Sequence, residues 1–199
     1  MRTTVADMTD LVLFHHACGL TDGLRAFAAT LTGAGHTVHT PDLYDGATFT
    51  DLDAGIAHAK GLGFGSLLER GVASAADLPQ ELVYAGVSLG VMAAQSLAQN
   101  RSGARGALLL EACVPPSELG GAWPDGVPVQ VHGMDDDPFF AHEGDLDAAR
   151  ALVDGAADRE LFVYPGDRHL FADPSLPSYD AAASALLTER VLGFLDRVG

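Results

Sequence analysis

Apolar positions recur along the chain in two alternating rhythms. Short, nearly continuous apolar runs occur at DLVLFH (10–15), HTVHT (36–40), ELVYAG (81–86), GALLLEA (106–112), VPVQVHG (127–133) and ELFVYPG (160–166). Runs of this length, rich in Val and Leu and bounded by Gly, Pro or Asp, predict β-strands buried on both faces. Between them the spacing lengthens to that of a helix. In LTDGLRAFAATLTGAG (20–35), Leu24, Phe27, Ala28 and Leu31 share one face, with Asp22 as the expected N-cap and Gly33 or Gly35 closing the C-terminus. Residues 51–70 predict a helix, a break around GLGFG (61–65) and a second short helix. VMAAQSLAQN (91–100), LDAARALVDG (146–155) and SYDAAASALLTERVLGFLDRV (178–198) complete the helices.

Strand and helix therefore alternate from end to end. That order predicts an α/β fold, a mostly parallel sheet with helices on both faces and right-handed crossovers. No repeat or linker divides the 199 residues, so one domain over 1–199 is expected. In such sheets ligands gather at the carboxyl ends of the strands. The segments that follow the strands are HHACGL, GVSLG, HGMDDDPFF and YPGDRHLF, and these hold the reactive residue types of the chain.

GVSLG carries the sharpest chemistry. Serine is a poor nucleophile until a base activates it. A serine on a tight strand-to-helix turn needs small neighbours, and Gly86 and Gly90 flank Ser88 two residues to either side. The helix behind the turn directs its N–H groups at the reacting centre, and the Leu89 N–H is one expected oxyanion donor. The plainer alternative is a helix-capping serine between packing glycines. Nucleophile, acid and base in the order Ser, acid, His point to His169, the only histidine after His142. The acid is expected in the loop after VPVQVHG, which offers Asp135, Asp136 and Asp137. Asp137, which precedes a proline, is favoured over Asp136 and Asp135.

Charge narrows the partners. Twenty-seven Asp and Glu against 11 Lys and Arg give a formal net charge of −16. Such a surface repels phosphate backbones, so nucleic acid is not an expected partner. No apolar run is long enough to span a bilayer, and MRTTVADMTD lacks the apolar segment of a secretory signal, so a cytoplasmic location is expected. Cys18 and Cys113 lack metal-ligand spacing and read as free thiols. Among the histidines, neighbours His15 and His16 point to opposite faces of a strand, which argues against a shared metal. No metal and no cofactor are expected.

Four stretches resemble the dienelactone hydrolase family of α/β-hydrolases. They are HHACGL with the following helix and PDLYDG, the GVSLG elbow, HGMDDDPFF, and YPGDRHLFADPSLPSYDAAAS. The resemblance implies a compact parallel sheet without a lid domain and a triad of Ser88, an Asp of 135–137 and His169. It also implies a second oxyanion donor at the Ala17 N–H. The founding members use a cysteine nucleophile, and Ser88 stands in its place. They carry a glutamate beside the first-strand histidine where this chain has His16, and a substrate-binding arginine where it has Asp173. An acidic group at 173 argues against an anionic lactone. The expected activity is hydrolysis of a small ester or lactone by a monomer or homodimer, through an acyl-serine. His16, Cys18, Phe139 and Phe140 are expected to line the substrate pocket. Phe14, Phe64 and Trp123 are weighed as further lining, with core packing as their default. Cleavage of a thioester or amide, or non-catalytic binding of a small ligand, are the alternatives.

Overall fold

The protein was analysed as a computed structural model, which describes residues 8–199. Six strands form one parallel sheet in the order β2-β1-β3-β4-β5-β6. They are β1 (Asp10–Phe14), β2 (Thr37–His39), β3 (Val83–Val87), β4 (Gly106–Leu110), β5 (Val129–Met134) and β6 (Arg159–Tyr164). The helices are α1 (Asp22–Gly33), α2 (Leu52–Leu62), α3 (Phe64–Ser74), α4 (Val91–Asn100), α5 (Asp145–Val153) and α6 (Ala181–Val198).

Strand residues alternate between two cores, as the period-two geometry of a strand requires. Val12, Phe14, Tyr84 and Leu109 face one core, against Leu67 of α3, Val91 and Leu97 of α4 and Leu152 of α5. Leu11, Leu13, Val83, Leu108 and Leu110 face the other, against Leu24 and Leu31 of α1 and Leu187, Val191 and Phe194 of α6. The single α/β domain is thus three layers, with α1 and α6 on one side of the sheet.

The chain enters the sheet at β1, runs out to the edge at β2, and returns to β3 on the other side of β1. All later strands add outward from β3. The order therefore reverses between β1 and β3, and a crevice opens at their carboxyl ends. The segment after β1 holds Ala17 and the turn after β3 holds Ser88.

Local details refine the sequence expectations. α1 is capped by Thr21, whose hydroxyl accepts the Leu24 N–H, and not by Asp22, which is the first helical residue. The break between α2 and α3 falls at Gly63, whose φ of +87° is open to glycine at little cost. α3 then runs for 11 residues, longer than the short helix expected. Among the described residues no helix is long and apolar enough to cross a membrane.

Candidate active site

The GVSLG turn is built by two close approaches. A Cβ on Gly86 would lie 2.4 Å from the Gly90 carbonyl oxygen, and one on Gly90 would lie 2.4 Å from the Phe14 carbonyl oxygen. Only hydrogen fits at both places. The end of β3 folds tightly on its own turn, and the turn lies flat on the end of β1. Ser88 takes φ +48° at the apex, a conformation that a serine adopts at a cost. A 3-10 turn over Ser88–Gly90 leads directly into α4. The Leu89 N–H falls in this first turn, where helical N–H groups lack partners within the helix.

Ser88 Oγ lies 2.8 Å from His169 Nε2, and His169 Nδ1 lies 2.7 Å from Asp137 Oδ2. With Nδ1–H donated to the carboxylate, Nε2 is left to accept the serine hydroxyl. Asp137 is fully buried, and its other oxygen accepts the Phe139 N–H at 2.8 Å. Burial pulls the His169 pKa down. The Asp137 hydrogen bond and the charges of Glu111, Asp137 and Asp145 together outweigh that, so the net shift is upward.

The neighbouring aspartates are engaged elsewhere. Asp135 accepts the Gly166 N–H at 2.9 Å, joining the loops that follow β5 and β6. Asp136 meets His142 at 2.9 Å on the surface. Of the three, Asp137 alone is placed on the imidazole.

A cavity of about 420 Å³ opens beside His169, walled by Thr50, Leu52, Phe139, Arg168 and Leu176. Cys18 and Phe139 line it. The Phe139 ring lies 4.6 Å from the imidazole. Burial, with Asp173 and Asp51 adding to it, pushes the Cys18 thiol up to about 11, so it stays protonated at neutral pH.

Two expected lining residues are corrected. Phe140 is fully buried with its ring against Gly133, where a Cβ would stand 2.2 Å from the ring. It packs the core beneath β5. Phe14 and Trp123 are also core residues, and Phe64 is exposed at the surface. His16 is fully buried as well and turns away from the cavity. Its Nδ1 accepts the Cys18 N–H at 3.2 Å, which leaves Nε2–H to donate to Asp173 Oδ2 at 2.9 Å. Asp173 also accepts from the Thr21 hydroxyl and from the N–H and hydroxyl of Ser175. Burial would raise its pKa, but these hydrogen bonds prevail and hold it at about 2. The carboxylate is spent inside the protein, so it presents no acidic group to a substrate. His15 belongs to a different network, accepting the Leu43 N–H and contacting the His16 carbonyl.

The His16–Asp173 bond ties the segment after β1 to the loop that carries His169. α2 braces the same segment from outside, since a Cβ on Gly55 would lie 2.5 Å from the Ala17 carbonyl oxygen. Among the described residues the Ala17 N–H has no protein acceptor.

The sequence of residues 4–199 matches the family described as the Dienelactone hydrolase family. The chain belongs to the dienelactone hydrolase family. The family places it among hydrolases of ester bonds, a lactone being a cyclic ester. No curated protein matches it in sequence. Three solved structures illustrate the shared fold. A dienelactone hydrolase-like promiscuous phosphotriesterase from metagenomic libraries has TM-score 0.70 at 18% identity, covering 96% of this chain and 86% of that one. Thermogutta terrifontis esterase 2, phosphonylated by cyclosarin, has TM-score 0.68 at 17% identity, covering 98% and 84%. A cold-adapted esterase from an Arctic intertidal metagenomic library has TM-score 0.64 at 18% identity, covering 96% and 83%.

One residue of the dienelactone hydrolase-like site escaped the sequence reading. Glu111, at the carboxyl end of β4, is 1% exposed. One oxygen or nitrogen each from Glu111, Asp137 and His169 lie within 4.8 Å of one another. Its signal was a lone acid closing the apolar run GALLL, at a strand end where buried charge is rare.

Proposed function

We propose that this chain is a serine hydrolase that cleaves a small carboxylic ester or lactone through an acyl-Ser88 intermediate. One observation carries the proposal. A serine at φ +48° on a strand-to-helix turn meets an imidazole at 2.8 Å, and a fully buried carboxylate holds the imidazole at 2.7 Å. Serine capping a helix has no need of the last two partners.

In the proposed mechanism His169 Nε2 takes the proton of Ser88 as Oγ attacks the ester carbon. Asp137 keeps Nδ1 as the donor and steadies the imidazolium. The oxyanion settles against the N–H groups of Leu89 and Ala17. Collapse expels the alcohol, which receives the proton from His169. Water, deprotonated by the same nitrogen, then releases the acid. For a lactone the alcohol remains tethered to the acyl group.

The cavity supports a small substrate, since about 420 Å³ lies at the lower end of the usual range for ligand pockets. Leu52, Pro138, Phe139 and Leu176 make part of its wall apolar, while Asp51 and Asp167 bring acidic groups against the single guanidinium of Arg168. That balance favours neutral esters. A phosphonylated esterase and a phosphotriesterase among the similar structures recommend an organophosphorus probe.

The test is labelling with a fluorophosphonate, with the modified residue located by mass spectrometry. Labelling at Ser88 is expected, lost in Ser88→Ala and in His169→Ala, together with turnover of short-chain aryl esters. Folded protein that neither labels nor turns over such esters would replace the enzyme by a small-ligand binder in the same cleft.

A further inference from the structure

Glu111 is a buried acid that the proposed mechanism leaves unused. It follows β4 directly, between the strands that deliver Ser88 and Asp137. Its φ is +63°, one of four positive values at non-glycine residues among the described residues. Ser88 and Leu170 hold two of the others, so three of the four surround one imidazole. Such conformations persist where the surroundings over-determine them. The Glu111 N–H is anchored to the His132 carbonyl of β5 at 2.6 Å. One carboxyl oxygen accepts the N–H of Leu170, the residue after His169. The other, Oε1, is buried and has no hydrogen-bond partner among the described residues. A carboxyl oxygen left bare in a core is costly.

We propose that Glu111 is a second carboxyl of the site, a positioning residue that clamps the His169 loop through the Leu170 N–H and sets its carboxyl beside the His169–Asp137 pair. The imidazolium formed during turnover then lies in the field of two carboxylates. Asp137 makes the hydrogen bond, and Glu111 adds charge without one.

The surroundings make this charge respond to the imidazole. Burial pushes the Glu111 carboxyl up to about 7, with His169 pulling it down, Asp137 pushing it up, and the backbone N–H groups of Leu170 and Ala172 lowering it further. Asp145, in the first turn of α5, also faces His169, and Glu143 faces Asp145. Asp145 is committed to the Cys113 N–H at 3.0 Å. On the other side His16 and Asp173 share a small cavity wall with Glu111, but they are paired to each other. A proton arriving on His169 therefore favours loss of the proton on Glu111, so the two titrate as a coupled pair.

The proposal rests on His169 being the base of Ser88, and the test separates the two claims. Glu111→Gln keeps an acceptor for the Leu170 N–H and removes the charge. The acid limb of kcat/KM against pH for a short-chain aryl ester is expected to move down by half a unit or more. At the pH optimum kcat should fall about fivefold or more, with KM within about twofold. The His169 ring resonance, followed by NMR against pH, should move in the same direction. A limb and a ring titration that superimpose on those of the unaltered chain would reduce Glu111 to packing. The ring titration needs no turnover, so an unaltered chain that cleaves no ester sinks the esterase reading and leaves this measurement to decide Glu111. A measurement without any variant guards against misfolding of Glu111→Gln. The Glu111 carboxyl and His169 ring resonances of the unaltered chain should each show both steps of a coupled titration, and two independent single steps overturn the proposal.

Discussion

Asp135, Asp136 and Asp137 follow one another in the chain, yet each is held by different groups. The first ties two loops, the second pairs with a surface histidine, and the third is sealed against His169. Asp137→Asn is therefore expected to lower kcat by about 10⁴, because the amide fixes the wrong imidazole tautomer. Asp136→Asn should stay within about threefold, since its pair is exposed and weak. Ester turnover measured on both variants checks the contrast. The direction of the His169 shift sets the pH dependence. A base works only when unprotonated, and its pKa lies above the ordinary 6.5. Activity should thus rise with pH through a midpoint above that value. At this scale the sequence was legible where chemistry imposes spacing, as at Ser88 with its glycines and at His169. It was silent on direction. Nothing in HHACGL tells that His16 turns inward to Asp173, nor in DPFF that Phe140 fills the space left by Gly133, because both depend on what another strand or loop leaves free. Glu111 was hidden for the same reason, being read as the end of a strand when it is the point where the backbone turns.

Secondary elements were easier to read than their ends. Burial on both faces wrote the strands as continuous apolar runs, and α4 occupies the expected residues 91–100. The N-cap of α1 was misplaced by one residue, because Thr21 and Asp22 are both good caps and tertiary contact with Asp173 decides between them. The elbow is where element geometry is least forgiving. Gly90→Ala would drive a methyl into the Phe14 and His15 carbonyls, forcing the turn off β1. Destabilisation of about 1–3 kcal/mol, or misfolding, is expected. Gly33→Ala, at a position where a Cβ meets nothing within 4 Å, should be neutral or mildly stabilising. Thermal melts of the two variants test the contrast.

For the whole molecule, charge and topology act together. The chain visits the site rim at 16–18, 88, 111, 137 and 169, once after each of five strands. That convergence follows from parallel strands, all of which end on the same side, and it was foreseeable from the strand-helix alternation. The formal charge of −16 surrounds this rim with a negative field. For an anionic aryl ester kcat/KM should rise as salt is added from low ionic strength, while a neutral ester of the same size should be little affected. Equal salt responses would show that the field does not reach the crevice.

The hydrogen bond between His16 and Asp173 has a further consequence, for how such a chain can change over generations. The two positions lie 157 residues apart in sequence and fill each other's needs inside the protein. A substitution at either one alone strands a buried polar partner, and the loss falls on both the segment that offers the Ala17 N–H and the loop that carries His169. A replacement at one of the two positions is therefore expected to be tolerated only with a matching replacement at the other.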